Sequence, residues 1–536
     1  MELLTETISA CLEERVKKSP DSLAIETGEQ NYTWQELDRV SDFQAARFSG
    51  LGIKRGTHAA IWSTNTPNWI ITFLALQKLG AVTILINTCY TKSELKGVLS
   101  FTDVETVFYG KGYREIVYQD YVDDLRKELA GTVRHWIPIG PRENGQWISG
   151  RDFSPEEKDP DLIGRIREAG DETDPKDTAA ILFTSGTTSM PKGVMLSHYN
   201  LINSSLETTE HMKWDSSDKM LIAVPMFHCF GITSSLLSSM HAGFSMHLIE
   251  YYRTRIVLET AEKYRCTLLN GVPSMFLAMI RNPEFGHYDI SSLRRGIIAG
   301  SPITKEEYMQ IRRAIPSLKL FSSYGQTETS PCVSIGDVED TDEENAASAG
   351  RVIKNIEVRI AKAGNNEALP VGERGEILVK GYDVMKGYYN MPEETAKTID
   401  CDGWLHTGDI GYLDGRNFLY VTGRLKELII RGGENIAPLE IEQVIRKLDW
   451  VDNVKVVGVP NEVLMEDVAA CIIPKPGMEI RKKELLDFVG TRLARYKVPA
   501  YVLEFHSFPA NASGKIILNR LKEQAAGMVR DGNYIR

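Results

Sequence analysis

Short apolar runs alternate with stretches whose apolar positions recur every three or four residues through the first 320 or so positions of the chain. The runs at 58–62, 82–86, 106–109, 179–183, 219–224, 245–248, 267–270 and 295–299 predict strands. The amphipathic segments 34–50 and 305–315 predict helices. Alternating β and α elements of this kind imply largely parallel sheets covered by helices. The longest apolar segment, 69–86, is interrupted by Gln77, Lys78 and Gly80. A membrane span needs roughly 20 continuous apolar residues, so the segment reads as a helix followed by a buried strand, with Thr66 as N-cap and Pro67 at the first helical position.

The pattern changes after the acidic run 339–344, which reads as a solvated loop. From 350 to 421 the segments 357–360, 375–379, 411–413 and 418–421 are short, strand-like and separated by turn residues, predicting a small β-rich subdomain. After Gly423 and Arg424 the mixed character returns, with a helix at 439–448 and strands at 454–459 and 469–473. The last stretch, of roughly 110 residues, suits a separate small domain.

A chain of 536 residues is too long for one core. Its 42% hydrophobic and 25% charged residues are ordinary for a globular enzyme. The balance of 62 basic against 73 acidic residues, net −11, disfavours nucleic acid as a partner and requires any polyanion to be met by a focused site. Seven scattered cysteines without a C-x-x-C pair argue against a disulfide framework or structural zinc and for a reducing compartment. The acidic start, Met1 to Glu6, carries no secretory pattern, so the expected location is cytoplasmic.

The stretch from Leu182 to Gly193 packs five hydroxyl side chains (Thr184, Ser185, Thr187, Thr188, Ser189), two glycines (Gly186, Gly193) and Lys192 into one loop after a strand. Converging backbone N–H groups, hydroxyls and an ammonium suit a polyphosphate at the carboxyl end of a sheet strand. It is not a P-loop, because Lys192 precedes Gly193 and Val194 follows. A second loop, Ser322 to Thr329, offers Tyr324 for stacking, Thr327 as a donor to phosphate and Glu328 as an oxygen ligand for Mg²⁺. A third places Asp409 in a glycine-flanked turn able to accept from a ribose diol. Gly423 to Glu427 and Arg431 to Ile436 suggest a hinge and a close backbone approach to a ligand, and Ser513-Gly514-Lys515 puts a lysine on a turn. Each of these short motifs, taken alone, is also compatible with an ordinary turn.

In this order and spacing, from about Trp34 to Leu518, the motifs closely resemble the adenylate-forming superfamily of acyl-CoA synthetases, amino-acid adenylation domains and firefly luciferases, and most of all the short- and medium-chain acyl-CoA synthetases. The resemblance implies an α/β fold. A large N-terminal domain, 1–424, would hold two helix-flanked β-sheet subdomains and a small β-barrel-like subdomain. A small mobile α+β C-terminal domain, 425–536, would carry the catalytic lysine.

It further implies a carboxylic acid, ATP and coenzyme A as reactants with Mg²⁺. The acid attacks the α-phosphorus to give an acyl-adenylate and pyrophosphate, and the thiol then displaces AMP. By resemblance, Thr184, Ser185, Gly186, Thr187, Thr188 and Lys192 cradle the β- and γ-phosphates. Thr327 contacts the α-phosphate and Glu328 ligates Mg²⁺. Asp409 and Arg424 hold the ribose. Gly300, Ser301 and Pro302 flank the adenine with Tyr324, while Ser323, Gly325 and Gln326 also bind the nucleotide, Ser323 to Gly325 bordering the acyl pocket as well. Lys515 is the adenylation lysine, Lys426 the hinge, and Arg431, Gly432 and Gly433 line the coenzyme A tunnel. Ser189, Met190, Ala437 and Met465 depart from the family pattern; Tyr is expected at 437 and Gly at 465.

The acyl pocket implied by the resemblance involves His228, Phe230, Gly231, Val272, Pro273, Ala299 and Gly300. No Asp or Glu stands in 227–231 or 270–273, which argues for an uncharged tail, since a buried carboxylate without an ammonium partner is costly. His228 either gates the pocket or polarises the acyl group, or it packs against Phe227 and Phe230. The glycines at 231, 271 and 300 are expected to leave room for a chain or a ring, and medium-chain, branched and aryl acids all remain open. Two other functions stay in view: an acyl-adenylating enzyme that loads a carrier-protein phosphopantetheine, and a non-catalytic nucleotide-binding scaffold. A homodimer is compatible with the sequence, which does not determine oligomeric state.

Overall fold

The computed structural model of the chain describes residues 2–28, 30–139, 164, 166, 172–184, 191–431, 434–510 and 516–535. The chain divides into two compact units, Met1–Val358 with Val379–Leu405, and Arg359–Leu378 with His406–Arg536.

The first unit contains two large sheets. The seven-stranded one runs Gly387–Tyr388, Lys192–Ser197, Thr178–Thr184, Val82–Leu85, His58–Trp62, Thr106–Tyr109, His135–Pro138. From Thr178–Thr184 to His135–Pro138 the strands are parallel, whereas Lys192–Ser197 and Gly387–Tyr388 are antiparallel additions at one edge. The nine-stranded sheet runs Arg351–Val352, Ser334–Ile335, Lys319–Tyr324, Arg295–Ile298, Leu268–Leu269, Lys219–Ile222, Ser245–Leu248, Leu23–Glu26, Asn31–Thr33. Its central strands are parallel and its margins antiparallel. The expected strands are therefore present, most within one or two residues of their predicted ends.

Local chemistry sets the helix boundaries. Thr33 and Glu36 form a capping box at the start of Trp34–Gly50. Thr66 accepts from the Trp69 N–H ahead of Pro67–Lys78, as its sequence predicts. Between these two helices the Lys78 ammonium is buried between the carboxylates of Asp38 and Asp42. The acidic run read as a loop departs from expectation. Thr341 and Glu344 form a capping box that opens the helix Asp342–Ala347, and acidic residues in its first turn suit the positive end of the helix dipole. Asp340 is buried against Arg351.

One asparagine joins the carboxyl ends of the two sheets. Asn65, just past His58–Trp62, donates through Nδ2 to Val224 O at 2.9 Å and accepts from Met226 N at 2.9 Å, just past Lys219–Ile222. The loops that leave both sets of parallel strands thus converge on one side of this unit, where open α/β sheets take ligands.

The second unit holds most of a four-stranded sheet, Ile356–Ala361, Gly375–Gly381, Leu405–Leu413, Leu419–Arg424, and a five-stranded sheet built on the long hairpin Val451–Asn461 and Met465–Pro474. The hairpin is covered on both faces, which explains its nearly continuous apolar sequence. Val454, Val456, Val468 and Ala470 pack with Ile441, Ile445 and Leu485. Val457, Val459, Ala469 and Cys471 pack with Leu521 and Ala525 on the other face. Among the described residues no helix is long and apolar enough to cross a membrane. The seven cysteines are free thiols.

Removing the ammonium at position 78 strands two buried carboxylates. Lys78→Met is expected to lower the unfolding free energy by about 3–5 kcal/mol in urea denaturation. The triple variant Asp38→Leu, Asp42→Leu, Lys78→Met should recover most of that loss, because replacing a whole buried ionic cluster is far milder than breaking it.

Candidate active site

The strand Thr178–Thr184 delivers the hydroxyl-rich loop, and Lys192–Ser197 returns beside it with Lys192 opposite Thr184. Ser185, Gly186, Thr187 and Thr188 lie outside the described residues. Lys192 is largely buried; its Nζ lies 2.7 Å from a Glu394 carboxylate oxygen and 4.5 Å from the centre of the Tyr388 ring. The Tyr388 hydroxyl in turn donates to Glu328 Oε1 at 2.9 Å. Glu394 stands in the first turn of Pro392–Thr398, where Lys192, and then Lys397 at 2.8 Å, hold its carboxyl down at about 2. Burial, followed by the Glu328 charge, raises the Tyr388 phenol above its ordinary range.

Glu328 belongs to the single 3₁₀ turn Thr327–Thr329 that follows Lys319–Tyr324, and it is 8% exposed. Its carbonyl accepts from Met385 N at 2.9 Å. Gln326 N donates to Thr329 Oγ1 at 3.1 Å, and Ser323 Oγ lies 3.3 Å from Cys332 Sγ. Gly325 has no room for a side chain, since a Cβ there would lie 1.6 Å from Pro331 O. Tyr324 is half-buried.

Thr327 connects this turn to the expected acyl loop. Cys229 Sγ donates to Thr327 Oγ1 at 3.7 Å, and burial pushes that thiol up to about 12. His228 is exposed at the start of Cys229–Gly231, with its ring 4.3 Å from that of Phe227. Phe230 is half-buried. The chain continues into the π-helical turn Ile232–Leu237, a geometry frequent at functional sites. Gly231 does not serve to leave room, contrary to its sequence reading. A Cβ there would lie 2.1 Å from Pro225 O, so the residue is glycine because two backbones touch.

Gly271 and Gly300 come together as expected. Gly271 bridges Ile298, and its carbonyl accepts from Ala299 N at 3.2 Å. Gly300 has φ +84°, with Val272 Cγ1 3.1 Å from where its Cβ would stand. Pro273 opens the helix Pro273–Ile280. Gly271 packs against an apolar cluster of Tyr252, Leu269, Met275, Phe276 and Met279 that holds no acidic residue and leaves no space for even a water molecule. Ser301 and Pro302 are exposed.

In the second unit, Asp409 and Arg424 face each other across paired strands. Arg424 Nε lies 2.8 Å from Asp409 Oδ1; the carboxylate side chain is 5% exposed and the arginine 55%. A buried acceptor beside a solvent-facing guanidinium suits a vicinal diol. Lys426 is exposed on the 3₁₀ turn Leu425–Glu427. Arg431 is held by Asp467 Oδ1 at 2.7 Å and donates to Tyr496 O at 2.8 Å. Gly432, Gly433 and Lys515 lie outside the described residues. Met465 has φ +70°, the left-handed region where glycine is the easy choice, which explains why glycine is expected there.

Sequence reasoning missed Tyr388, Glu394 and Asn65, and it included Cys229 in the acyl loop without foreseeing its contact with Thr327. The only trace of the first two is a Gly387-Tyr388 pair shortly before the Pro392 helix start, and nothing in it points 60 positions back to Glu328.

A family model described as "AMP-binding enzyme" matches residues 12–389, and one described as "AMP-binding enzyme C-terminal domain" matches 440–515. The candidate acyl-CoA synthetase YngI of Bacillus subtilis (strain 168) is 36% identical over 544 residues, covering 98% of each chain. The medium-chain acyl-CoA ligase ACSF2, mitochondrial, of Mus musculus is 30% identical over 541 residues, covering 97% of this chain and 88% of its own. The ATP-bound crystal structure of MatB from Rhodopseudomonas palustris superposes with a TM-score of 0.83 at 25% identity, covering 98% of this chain and 100% of that one.

The two loop glycines differ in what a methyl group would meet. Gly231→Ala drives Cβ into a carbonyl and should cost about 1–3 kcal/mol in urea unfolding. Gly271→Ala meets only the Phe276 ring edge, at 3.0 Å, and should cost less than Gly231→Ala in the same measurement.

Proposed function

This chain belongs to the AMP-binding enzyme family, and we propose that it is an AMP-forming acyl-CoA synthetase acting on a medium-chain fatty or similar apolar carboxylic acid. The observation that carries the reading is the meeting of Lys192 and Glu328 on the two sides of Tyr388, at the convergence of the two sheets' carboxyl ends. A polyphosphate needs fixed positive donors, and its metal needs a hard carboxylate oxygen nearby. The names of YngI and ACSF2 support the acyl-CoA chemistry, and ACSF2 supports the medium-chain class. The lack of an acidic residue in 227–231 and 270–273 supports an uncharged tail.

A carboxylate is a poor nucleophile towards a polyanion, so the site must remove charge repulsion. Lys192, Thr184, Ser185, Gly186, Thr187 and Thr188 grip the β- and γ-phosphates, and Thr327 steadies the α-phosphate. Glu328 fits Mg²⁺, being an oxygen donor oriented by a phenol. When bound, the ion supplies charge neutralisation and polarises phosphoryl oxygens. Asp409 and Arg424 take the ribose hydroxyls, while Gly300, Ser301, Pro302, Ser323, Tyr324, Gly325 and Gln326 frame the base. Lys515 bridges the attacking carboxylate and the α-phosphate, where a compact ammonium stabilises the anionic transition state.

The segment 425–536 acts as a lid that turns about Lys426 between the half-reactions. Arg431, Gly432 and Gly433 then border the path of the coenzyme A thiol. His228 stands at the mouth of the acyl loop, and Val272, Pro273, Ala299, Gly300, Phe230 and Gly231 shape its walls. The seven free thiols suit a cytoplasmic enzyme.

Thiol-dependent AMP release across a panel of carboxylic acids tests the assignment, and medium-chain acids with free coenzyme A are expected to give the highest kcat/KM. Release accelerated only by a phosphopantetheinylated carrier would replace coenzyme A as acceptor, and absence of any acid-dependent ATP–pyrophosphate exchange would overturn the reading. Lys515→Ala should cut pyrophosphate release by about 100-fold or more, the usual cost of a lost electrostatic donor. Lys426→Pro should leave adenylate formation within roughly 3-fold yet slow thioester formation by about 100-fold, since it alters rotation and not the first site.

A further inference from the structure

We propose that Tyr388 is a positioning residue that orients the Glu328 carboxylate for its divalent cation and couples that carboxylate to Lys192. The proposal rests on the reading of Glu328 as metal ligand given above. A glutamate on a one-turn helix has three side-chain torsions to settle, and a cation site needs its carboxylate held within a fraction of an ångström. The phenol at 2.9 Å from Oε1 supplies that restraint as a charge-assisted hydrogen bond.

Tyr388 is itself fixed from several directions. Its strand pairs with Lys192–Ser197, setting Tyr388 opposite Val194. Its N–H donates to Thr395 Oγ1 at 2.9 Å. The preceding Gly387, at φ +141°, lets Thr395 approach so closely that a Cβ would lie 2.7 Å from Thr395 Cγ2. The Lys192 ammonium over the ring draws electron density from the phenol and strengthens its O–H as a donor. Lys192 also bonds Glu394, one residue before Thr395 on the same short helix. A polyphosphate that takes Lys192 from Glu394 therefore acts on the very segment that steadies Tyr388. The phosphate grip and the metal carboxylate are joined through one aromatic ring.

Tyr388→Phe keeps the ring and its packing and removes only the hydroxyl. With the full-length enzyme and ATP, Mn²⁺ titration followed by electron paramagnetic resonance should show cation binding weakened about 10-fold, the value of one hydrogen bond to a charged group. ATP affinity without metal should change less than roughly 2-fold, because the variant leaves Lys192 in place. The Mg²⁺ concentration for half-maximal pyrophosphate release should rise by a similar factor, with kcat recovering at saturating Mg²⁺. A kcat deficit that excess Mg²⁺ does not restore, accompanied by a lowered Tm, would assign Tyr388 a purely structural part and overturn the proposal. Glu328→Gln separates the two layers of inference. If it abolishes Mn²⁺ binding while Tyr388→Phe binds as wild type, the metal ligand stands and the positioning proposal falls. If Glu328→Gln also binds Mn²⁺ normally, both fall.

Discussion

A glutamate with 8% of its surface exposed must be held by donors or by cations. The hydroxyl that reaches Glu328 comes from Tyr388, on an edge strand of the seven-stranded sheet, while Glu328 itself follows a strand of the nine-stranded sheet. That hydrogen bond joins the Asn65 contacts and the Met385 N–H to Glu328 O bond in linking the two halves of the first unit where their loops converge. Lys192 sits over the same ring with Glu394 as counter-ion, so a buried acid and a largely buried base share one aromatic partner. Neither charge meets the other directly. The arrangement places the ammonium and the carboxylate at different parts of one aromatic ring.

The architecture around this contact follows from parallel strands emptying loops to one side. Asn65 ties the carboxyl end of His58–Trp62 to Val224 and Met226, and Gly271 ties the segment after Leu268–Leu269 to the end of Arg295–Ile298. Several of these connections are close backbone approaches. Gly231 lies against Pro225 and Gly325 against Pro331, where even a methyl group would collide with a carbonyl oxygen. The floor of the site is therefore stiff. Met275, Phe276 and Met279 close tightly around Gly271, and methionine is the side chain best able to repack there.

Much of the fold could be read from period and turn chemistry, and the reasons are local. A strand such as His58–Trp62 is buried, short and bounded by polar turns; Trp34–Gly50 carries its own capping box in Thr33 and Glu36. The run 339–344 misled because repeated acids suggest solvent, whereas here they serve a helix dipole and a buried pair with Arg351. Likewise, Leu405–Leu413 begins six residues before the expected 411, because Thr407 and Gly408 break an apolar pattern while bonding to Ile377 and Glu376. At the site, Glu328 and Asp409 stand out by neighbourhood in sequence. Tyr388 and Glu394 do not, since their meaning comes from partners 60 and 202 positions away. Gly231 shows the converse: its presence was legible and its reason was not, because the carbonyl it accommodates appears only in three dimensions.

Two departures from the family pattern, Ser189 and Met190, fall in the phosphate loop, and two, Ala437 and Met465, in the C-terminal stretch. Lys192, Thr327, Glu328, Asp409 and Arg424 all match the residues expected to handle ATP. Met465 does not match, and it occupies a left-handed backbone conformation that costs a non-glycine residue about 1–2 kcal/mol. It lies in register with Arg431, whose guanidinium is committed to Asp467 and to Tyr496 O, and its own side chain is 66% exposed. A strained, solvent-facing thioether beside the loop assigned to the thiol has no role in packing the second unit, whose hairpin is covered by other residues on both faces. The positive φ belongs to the tight turn that joins Val451–Asn461 to Met465–Pro474, a setting in which glycine is the easier residue. Of the four departures, Met465 is thus the one whose backbone conformation itself favours the glycine that the family pattern calls for.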